Sequence, residues 1–420
     1  PMGDYDPKDP ICDTISCDHT DTGAANLKIN GISVGNLLSG DRSVQRFGIA
    51  PAFAGEAHYV IGTNDTGRLY NFRQYGPTWT SIGFLLPKAL PTAKFGASVD
   101  VNGLTAVVGA PEYDDRGAAF VFTRDSLDAE TWSLQATLKS LGSSEKDQFG
   151  SSVALDGDTI IVGAANAVNE AGQNSGAVYI FDRHADRWLQ KARLTASDGA
   201  AGDLFGQSVD ISVDTVAIGA PNAGSVYIYL RDGFVWSVEE QLTGTGRFGT
   251  SLSLDVDTLF VGAPGENADT GAAYVYHRTG TAWSQQATLT ADDGQPGDRF
   301  GTSVAVDGDR AVVGAPGVAS DTGAAYTFTR ADSVWSAHMK LSLKTSVPTD
   351  NFGNAVAISG ERLVIGAYLR DVVRESGEVN TTYHDEGSVY AYGLKDGVWE
   401  LETVVEPLQA SDGYSGDMMG

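Results

Sequence analysis

The feature that most constrains this 420-residue chain is a unit that recurs seven times. Each copy carries one Phe-Gly dipeptide and one tryptophan, and the two markers alternate along the chain without exception. The dipeptides begin at Phe47, Phe95, Phe149, Phe205, Phe248, Phe300 and Phe352, and the tryptophans are Trp79, Trp132, Trp188, Trp236, Trp283, Trp335 and Trp399. A period of about 40 to 55 residues indicates one copied supersecondary unit, which buries its apolar face only against its neighbours.

The unit that begins at Phe149 predicts four short strands. Residues 151–155 alternate apolar with small or polar side chains, as in a half-buried strand. Asp156 and Gly157 supply the positive-φ residues of a tight hairpin. Residues 160–162 are a continuous apolar run, which indicates a strand covered on both faces. Two further strands follow between residues 176 and 194, so each unit predicts one antiparallel sheet.

Two more features recur in the same order in the other units, and we expect both to serve packing. The second strand ends in a small-residue turn, and the third strand carries two aromatic residues that are separated by one other residue. The turns are Gly-Ala-Pro at 109–111, 219–221, 262–264 and 314–316, and the aromatic pairs are Tyr70/Phe72, Phe120/Phe122, Tyr179/Phe181, Tyr227/Tyr229, Tyr274/Tyr276, Tyr326/Phe328 and Tyr390/Tyr392. Small residues before the aromatic pairs permit adjacent sheets to approach closely.

Four-stranded sheets repeated radially form a β-propeller, in which closure protects strand edges that an open stack exposes. An open β-solenoid usually has a shorter repeat, and a string of separate domains needs linkers that this sequence lacks. The sequence therefore predicts an all-β fold: a seven-bladed β-propeller of four-stranded antiparallel blades with an N-terminal arm.

The order Phe-Gly, hairpin, Val-Gly-Ala-Pro, Gly-x-x-Tyr-x-Phe and Trp resembles the FG-GAP repeat of integrin α-subunit propellers and of many secreted proteins. The resemblance covers Phe47 to about Leu408 and implies the propeller fold. The family spans receptors, lectins, adhesins and non-catalytic modules of enzymes, so the fold alone does not define the function.

The ends of the chain predict two additions to the ring. We expect an N-terminal arm at 1–46, the propeller at 47–408, and a tail at 409–420 whose sequence is like that between blades. Two segments compete for the outer edge of the closing blade: Asn26 to Val34, and Trp399 to Val404. One of them closes the ring in this interpretation, and the other is left for a neighbouring domain or subunit.

Composition and short motifs favour a secreted, extracellular or cell-surface glycoprotein. A net charge of −26 disfavours nucleic acid and anionic membranes as partners, and no apolar run approaches the roughly 20 residues of a membrane span. Cys12 and Cys17 predict a small disulfide loop; the alternative, a zinc site, has only His19 nearby. Asn64 and Asn380 begin N-glycosylation motifs in predicted exposed loops.

Two sets of acidic residues are candidate metal ligands. Several integrin repeats carry a calcium loop in the first hairpin of a blade, but calcium requires six to eight oxygens. Here the hairpins carry only two carboxylates, as at Asp156 and Asp158, so the family's sites are not carried over. The second set lies between blades and is a candidate cation site, with ordinary turn formation as the alternative. Its members are Asp198, Asp203, Asp292, Asp293 and Asp298. We expect no required cofactor, and calcium is the candidate ion.

The chemistry of a typical active site is missing from the sequence. The six histidines fall at different places in their units, and no nucleophile elbow, phosphate loop or His-Glu-x-x-His motif occurs. We expect no enzymatic activity.

Variation among the units indicates where a ligand binds. Residues 367–386 form the longest connection of their class, whereas the counterpart after Pro221 is only Asn222 and Ala223. Loops carry binding residues more often than strands do. The candidate ligand-binding residues are Arg370, Arg374, Glu375, Tyr383 and His384. The alternative is a glycosylated, disordered insertion.

Three functions follow from these observations. The first is an extracellular recognition or adhesion module that binds a protein or glycan through the upper-face loops of the propeller. The second is a structural subunit of an extracellular filament, sheath or surface appendage, in which the arm joins neighbouring subunits. The third is a non-catalytic propeller attached to an enzyme.

Overall fold

The computed structural model describes eight parts of the chain. They are residues 16–19, 25–29, 32–36, 47–53, 58–63, 69–75, 78–85 and 93–405, the last without 128, 130, 142–143, 344–348, 371, 377–378 and 384–386. Clustering of the chain yields two compact units, one of residues 1–43 with 411–420 and the other of residues 44–410.

The larger unit is a propeller of seven four-stranded antiparallel sheets, as the repeat predicts. Each blade is one continuous stretch of chain whose strands pair in sequence order, and the first strand is innermost. The first three blades are β4 (Phe47–Phe53), β5 (His58–Thr63), β6 (Leu69–Tyr75) and β7 (Thr78–Leu85); β8 (Ser98–Asn102), β9 (Thr105–Ala110), β10 (Ala118–Thr123) and β11 (Ser133–Leu138); and β12 (Phe149–Asp156), β13 (Thr159–Ala164), β14 (Ala177–His184) and β15 (Arg187–Leu194).

The other four blades follow the same plan. Blades 4 and 5 are β16 (Ser208–Ser212), β17 (Thr215–Ala220), β18 (Ser225–Asp232) and β19 (Val235–Thr243); and β20 (Ser251–Asp255), β21 (Thr258–Ala263), β22 (Ala272–Thr279) and β23 (Ala282–Leu289). Blades 6 and 7 are β24 (Ser303–Asp307), β25 (Arg310–Ala315), β26 (Ala324–Ala331) and β27 (Val334–Leu341); and β28 (Phe352–Ser359), β29 (Arg362–Ala367), β32 (Ser388–Lys395) and β33 (Val398–Val405).

The remaining elements are short. Blade 7 contains an inserted hairpin of β30 (Val372–Ser376) and β31 (Val379–Tyr383). A 3-10 turn spans Tyr113–Asp115, and single helical turns span Glu266–Asp269 and Val318–Asp321. The smaller unit contains a three-stranded sheet of β1 (Ser16–His19), β2 (Ala25–Ile29) and β3 (Ile32–Asn36).

The Phe-Gly motif and the aromatic pair form the core of blades 2 to 7. Phe149 meets Tyr179 edge-on, with ring centroids 5.3 Å apart, and five other blades repeat this contact at 5.2 to 5.4 Å. Such edge-to-face pairs add about 0.5–1.5 kcal/mol each to the free energy of burial. The second strand is buried along nearly its whole length, as its continuous apolar run predicts.

Glycine is required where neighbouring blades meet. A Cβ on Gly163 of blade 3 would lie 2.1 Å from the carbonyl oxygen of Gly206, the second residue of the next Phe-Gly pair. Gly206 itself has φ +88°, a conformation that other residues rarely adopt. The recurring glycines therefore serve close packing between blades, as the sequence predicts.

Three of the tryptophans join their blade to the one before it. Trp188 is 8% exposed, lies under the guanidinium of Arg183 at 4.5 Å, and donates its indole N–H to Gln135 of the preceding blade at 2.8 Å. Trp283 and Trp335 donate in the same way to the preceding blade. The packing role predicted for these residues agrees with this geometry.

The two candidate closing segments lie in different sheets. Trp399 to Val404 belongs to β33, the outer strand of blade 7. Asn26 to Val34 falls in β2 and β3, which pair with each other, and β2 also pairs with β1. Cys12 lies outside the described residues, so the Cys12–Cys17 disulfide stays a prediction, as does the role of the arm.

Candidate functional site

Interlocked loops form one end of the propeller, which we call the upper face. In blades 2 to 6, the loop after the second strand contacts both the connection that enters the blade and the connection that leaves it. In blade 6, the Gly317 amide donates to the Asp298 carbonyl at 3.0 Å, and the Phe352 amide donates to the Thr322 carbonyl at 3.0 Å. The Asn222 amide and the Asp203 carbonyl make the corresponding contact in blade 4. The loops therefore hold one another in place around the ring.

Two of the candidate metal ligands fasten these connections to the blades. The Asp293 carboxylate accepts the Tyr326 hydroxyl at 2.8 Å and the Lys340 ammonium at 2.5 Å. Asp198 accepts the Tyr227 hydroxyl at 2.7 Å and the Gln241 amide at 3.1 Å. These bonds favour the ionised form, so the pKa of each carboxyl group lies below its usual value: the Lys340 bond is the largest cause for Asp293 and the Tyr227 bond for Asp198.

The other candidates stabilise their own turns or lie at the surface. The Asp203 carboxylate accepts the Ala200 amide at 2.6 Å, and Asp298 accepts the Gln295 amide at 2.8 Å. Asp292 is exposed. No three His, Cys, Asp or Glu side chains in the described parts of the chain are grouped so as to hold a metal ion. Cation binding by this set stays a prediction.

Two upper-face loops carry backbone strain that the sequence did not reveal. Asn267, Ala268 and Asp269 all have positive φ, between 49° and 61°, and residues 319–321 repeat the conformation at 51° to 65°. Non-glycine residues in this region cost of order 1 kcal/mol each and persist only where surrounding contacts hold them. The recurring Asp-Thr-Gly at 269–271 and 321–323 is a sequence signal for these turns.

The predicted ligand-binding segment is a β-hairpin and not an irregular loop. Arg374 and Glu375 lie on β30, opposite Thr381 and Asn380, and Tyr383 ends β31. Arg370 precedes the hairpin, and its guanidinium lies 5.3 Å from the ring centre of Tyr390. The structure thus places three of the five candidates on one hairpin and the fourth at its base. His384 lies outside the described residues, as does Asn64, whereas the glycosylation candidate Asn380 is a hairpin residue.

At the opposite end, carboxylates bind backbone amides around the ring of inner strands. The Asp210 carboxylate of blade 4 accepts hydrogen bonds from the backbone amide of its neighbour Ile211 at 2.8 Å and from that of Leu254 in blade 5 at 2.7 Å. Asp100 accepts Leu155 of the next blade in the same way at 2.7 Å. Inner strands present unpaired amides on their free edge, and these side chains satisfy them.

Burial is the largest cause of an unusual pKa at these two positions. It raises the pKa of Asp210 from 3.8 to about 7 and that of Asp100 from 3.8 to about 6, against the lowering effect of the amide bonds. The charge of Asp156 raises both further. These inter-blade bonds were not predicted from the sequence, because the partner amide belongs to another blade.

The chain belongs to the FG-GAP repeat family. The family model matches six segments that together span more than half of the chain: residues 89–122, 132–181, 188–229, 243–276, 283–328 and 335–392. The resemblance stated from the motifs is therefore confirmed.

Two curated relatives are integrin α subunits. The chain is 26% identical over 226 residues to integrin alpha-6 of Gallus gallus and 29% identical over 184 residues to integrin alpha-3 of Cricetulus griseus. The matches cover 43% and 40% of this chain but only 20% and 15% of those proteins. Among solved structures, Saccharomyces cerevisiae Sqt1 matches with a TM-score of 0.50 and 12% identity over 87% of this chain and 86% of Sqt1, which shows a shared fold alone.

Within the residues that the structure describes, no helix is long and apolar enough to cross a membrane.

Proposed function

We propose that this protein is an extracellular recognition or adhesion module that binds a protein or glycan through the upper-face loops. The observation that carries the proposal is the asymmetry of that face. Blade 7 inserts the β30–β31 hairpin where blade 4 has only a short turn at Asn222 and Ala223. A projecting hairpin on an otherwise repetitive ring gives a partner a unique surface to contact.

The arrangement of the other loops supports this role. Backbone bonds between loops of adjacent blades, such as Phe300 to Thr270 at 3.0 Å, make the upper face a rigid support. A preorganised surface loses little conformational entropy when it binds a partner. The turns at 267–269 and 319–321 give two loops of the same support a shared positive-φ conformation.

The proposal includes a non-catalytic role at the cell surface or outside the cell. The similarity to integrin α subunits supports a protein partner, and the sequence contains no recognised catalytic motif. The disulfide, the glycans and a calcium ion on the connections belong to this proposal. We expect calcium to be dispensable for folding, because Asp198 and Asp293 already accept protein donors.

The test replaces the hairpin by the turn of another blade. Residues 368–386 are exchanged for the Pro-Asn-Ala of residues 221–223, since Ala367 pairs with Ser388 as Ala220 pairs with Ser225. The control makes the same exchange at residues 165–175 of blade 3. Both proteins and the parent are applied to arrays of purified extracellular-matrix proteins and of glycans.

We expect the parent and the blade 3 control to bind the same array member, and the blade 7 exchange to lose that binding while keeping its melting temperature. Equal binding by the parent and the blade 7 exchange would contradict the proposal. Absence of binding by the parent on both arrays would also contradict it.

The structural-subunit function remains the second candidate. The observation that favours it is the compact unit of residues 1–43 with 411–420, whose sheet is formed by β1, β2 and β3. Strand addition to a sheet edge is a common mode of association between proteins. Electron microscopy of the purified protein tests this candidate, which requires end-to-end polymers.

A further inference from the structure

A cavity of about 370 Å³ lies in blade 6. It lies between the outer strands β26 and β27 and the connection that arrives from blade 5. The side chains that matter for the argument are those of Thr290, Asp292, Asp293, Phe328, Ala337 and Lys340. None of them belongs to the β30–β31 hairpin, but the connection is part of the upper face, so the inference rests on the proposed function and adds a second contact site to it.

The cavity exists because two side chains are shorter than their counterparts in blade 4. There the Tyr229 hydroxyl reaches the Thr195 carbonyl at 3.4 Å, and Val238 lies opposite Tyr229 in the strand register. In blade 6, Phe328 has no hydroxyl, and the residue opposite it is Ala337. The corresponding residues of blades 2, 3, 5 and 7 are larger: Leu134, Gln190, Gln285 and Leu401. Blade 1 has another small residue there, Ser81 opposite Phe72.

Blade 6 also carries charged side chains at two positions where blade 4 has neutral ones. Lys340 takes the place of Gln241, and its ammonium binds the Asp293 carboxylate at 2.5 Å. Asp292 takes the place of Ser197 and contributes an exposed carboxylate to the rim. The Asp293 bond helps to raise the pKa of Lys340 above its usual value, so the pair stays charged at neutral pH. A binding site requires both open space and polar groups at the same place. Packing of the blade by itself requires neither.

The polarity of the lining selects the ligand. A cationic ligand is repelled by the Lys340 ammonium, and an anionic ligand is repelled by the carboxylates of Asp292 and Asp293. A hydroxyl group both donates and accepts hydrogen bonds, so a neutral ligand rich in hydroxyls satisfies carboxylate and ammonium together. Ala337, which is exposed, and Phe328, which is 3% exposed, supply a small apolar wall. The volume lies at the small end of ligand pockets, which suits one ring.

We propose that this cavity binds a single pyranose unit of a neutral glycan. The Asp292 carboxylate accepts hydroxyl donors from the ring, the Lys340 ammonium donates to a ring or hydroxyl oxygen, and the apolar face of the sugar lies against Ala337 and Phe328. Because direct contacts are few, we expect weak binding by a free sugar, with a dissociation constant on the order of 1 mM.

The test uses free methyl pyranosides of glucose, galactose, mannose and fucose, together with N-acetylglucosamine, observed by saturation-transfer NMR. L-Arginine methyl ester and inorganic phosphate serve as cationic and anionic probes. Ala337→Leu fills the cavity with the residue that blades 2 and 7 carry there, and Gln285→Leu makes the matched change in blade 5. Asp292→Ser restores the residue of blade 4.

We expect at least one sugar to bind the parent, with affinity reduced at least tenfold by Ala337→Leu and by Asp292→Ser but unchanged by Gln285→Leu. Because Ala337 is exposed, its replacement should leave the melting temperature unchanged. The proposal is overturned by a parent that binds none of the sugars or only one of the charged probes. It is equally overturned by sugar binding that Ala337→Leu leaves intact.

Discussion

The inner-strand carboxylates make a testable prediction about the pH dependence of stability. Asp210 has a folded-state pKa of about 7 in place of 3.8, so at intermediate pH the folded protein binds more protons than the unfolded chain. The free energy of unfolding therefore falls as the pH rises from about 4 to about 7. A shift of about three units corresponds to about 4 kcal/mol, at about 1.4 kcal/mol per unit.

The substitution that isolates this effect is Asp210→Ser. A serine already does the same work in blade 5, where the Ser253 hydroxyl accepts the Val306 amide at 3.0 Å. The variant thus keeps an acceptor for the Leu254 amide while it removes the titrating group and its bond to the Ile211 amide, and the loss of that bond does not depend on pH. The assay is urea unfolding at pH 5 and pH 8, a window that contains about 3 kcal/mol of the Asp210 contribution.

We expect the parent to lose about 3 kcal/mol more than Asp210→Ser between the two pH values. Asp100→Ser should remove a smaller share, because burial raises the pKa of Asp100 only to about 6. Identical pH dependence in the parent and Asp210→Ser would refute the reasoning, since other carboxylates of the chain are common to both proteins.

Three further predictions concern packing, metal and the arm. Trp188→Ala should lower the free energy of unfolding by about 3–5 kcal/mol. Trp236→Ala should lower it less, because Trp236 is only half-buried and Lys191 lies at the position where other blades provide a hydrogen-bond acceptor. Equal losses in denaturant unfolding would contradict this. EDTA should leave the melting temperature within about 2 °C, because Asp198 and Asp293 already accept hydrogen bonds from the protein. A cation present at 100 times its dissociation constant would contribute about 2.7 kcal/mol, so a larger fall would show that a cation stabilises the fold. Deletion of residues 1–46 should leave the propeller's melting temperature unchanged, because every blade is a continuous stretch of chain beyond that segment. A lower melting temperature would show that the arm stabilises the ring. Loss of assembly in size-exclusion chromatography would support the structural-subunit function.

The repeat predicted the fold because its signals are local. The Asp156-Gly157 turn, the apolar run at 160–162 and the aromatic pair Tyr179/Phe181 each specify a short piece of backbone. Seven copies then leave the propeller as the closure that protects their edges. The candidate site was less accessible to this reasoning: residues 367–386 were identified as unusual by length, but the pairing of β30 with β31 was missed. Its residues alternate no more regularly than those of a loop.

Contacts between distant residues were decided by the tertiary structure alone. Asp198 and Asp293 read as possible metal ligands along the chain, yet in the fold they accept Tyr227 and Tyr326, 29 and 33 residues away. The same holds for the Asp210 carboxylate and the cavity beside Ala337, because each depends on which blade or connection lies opposite. The sequence by itself determined the repeating unit, its number and the packing of its apolar residues, since hydrophobic burial depends on pattern. Only the closed ring determined which polar groups meet, because hydrogen bonds and cavities depend on atomic positions that the pattern does not specify.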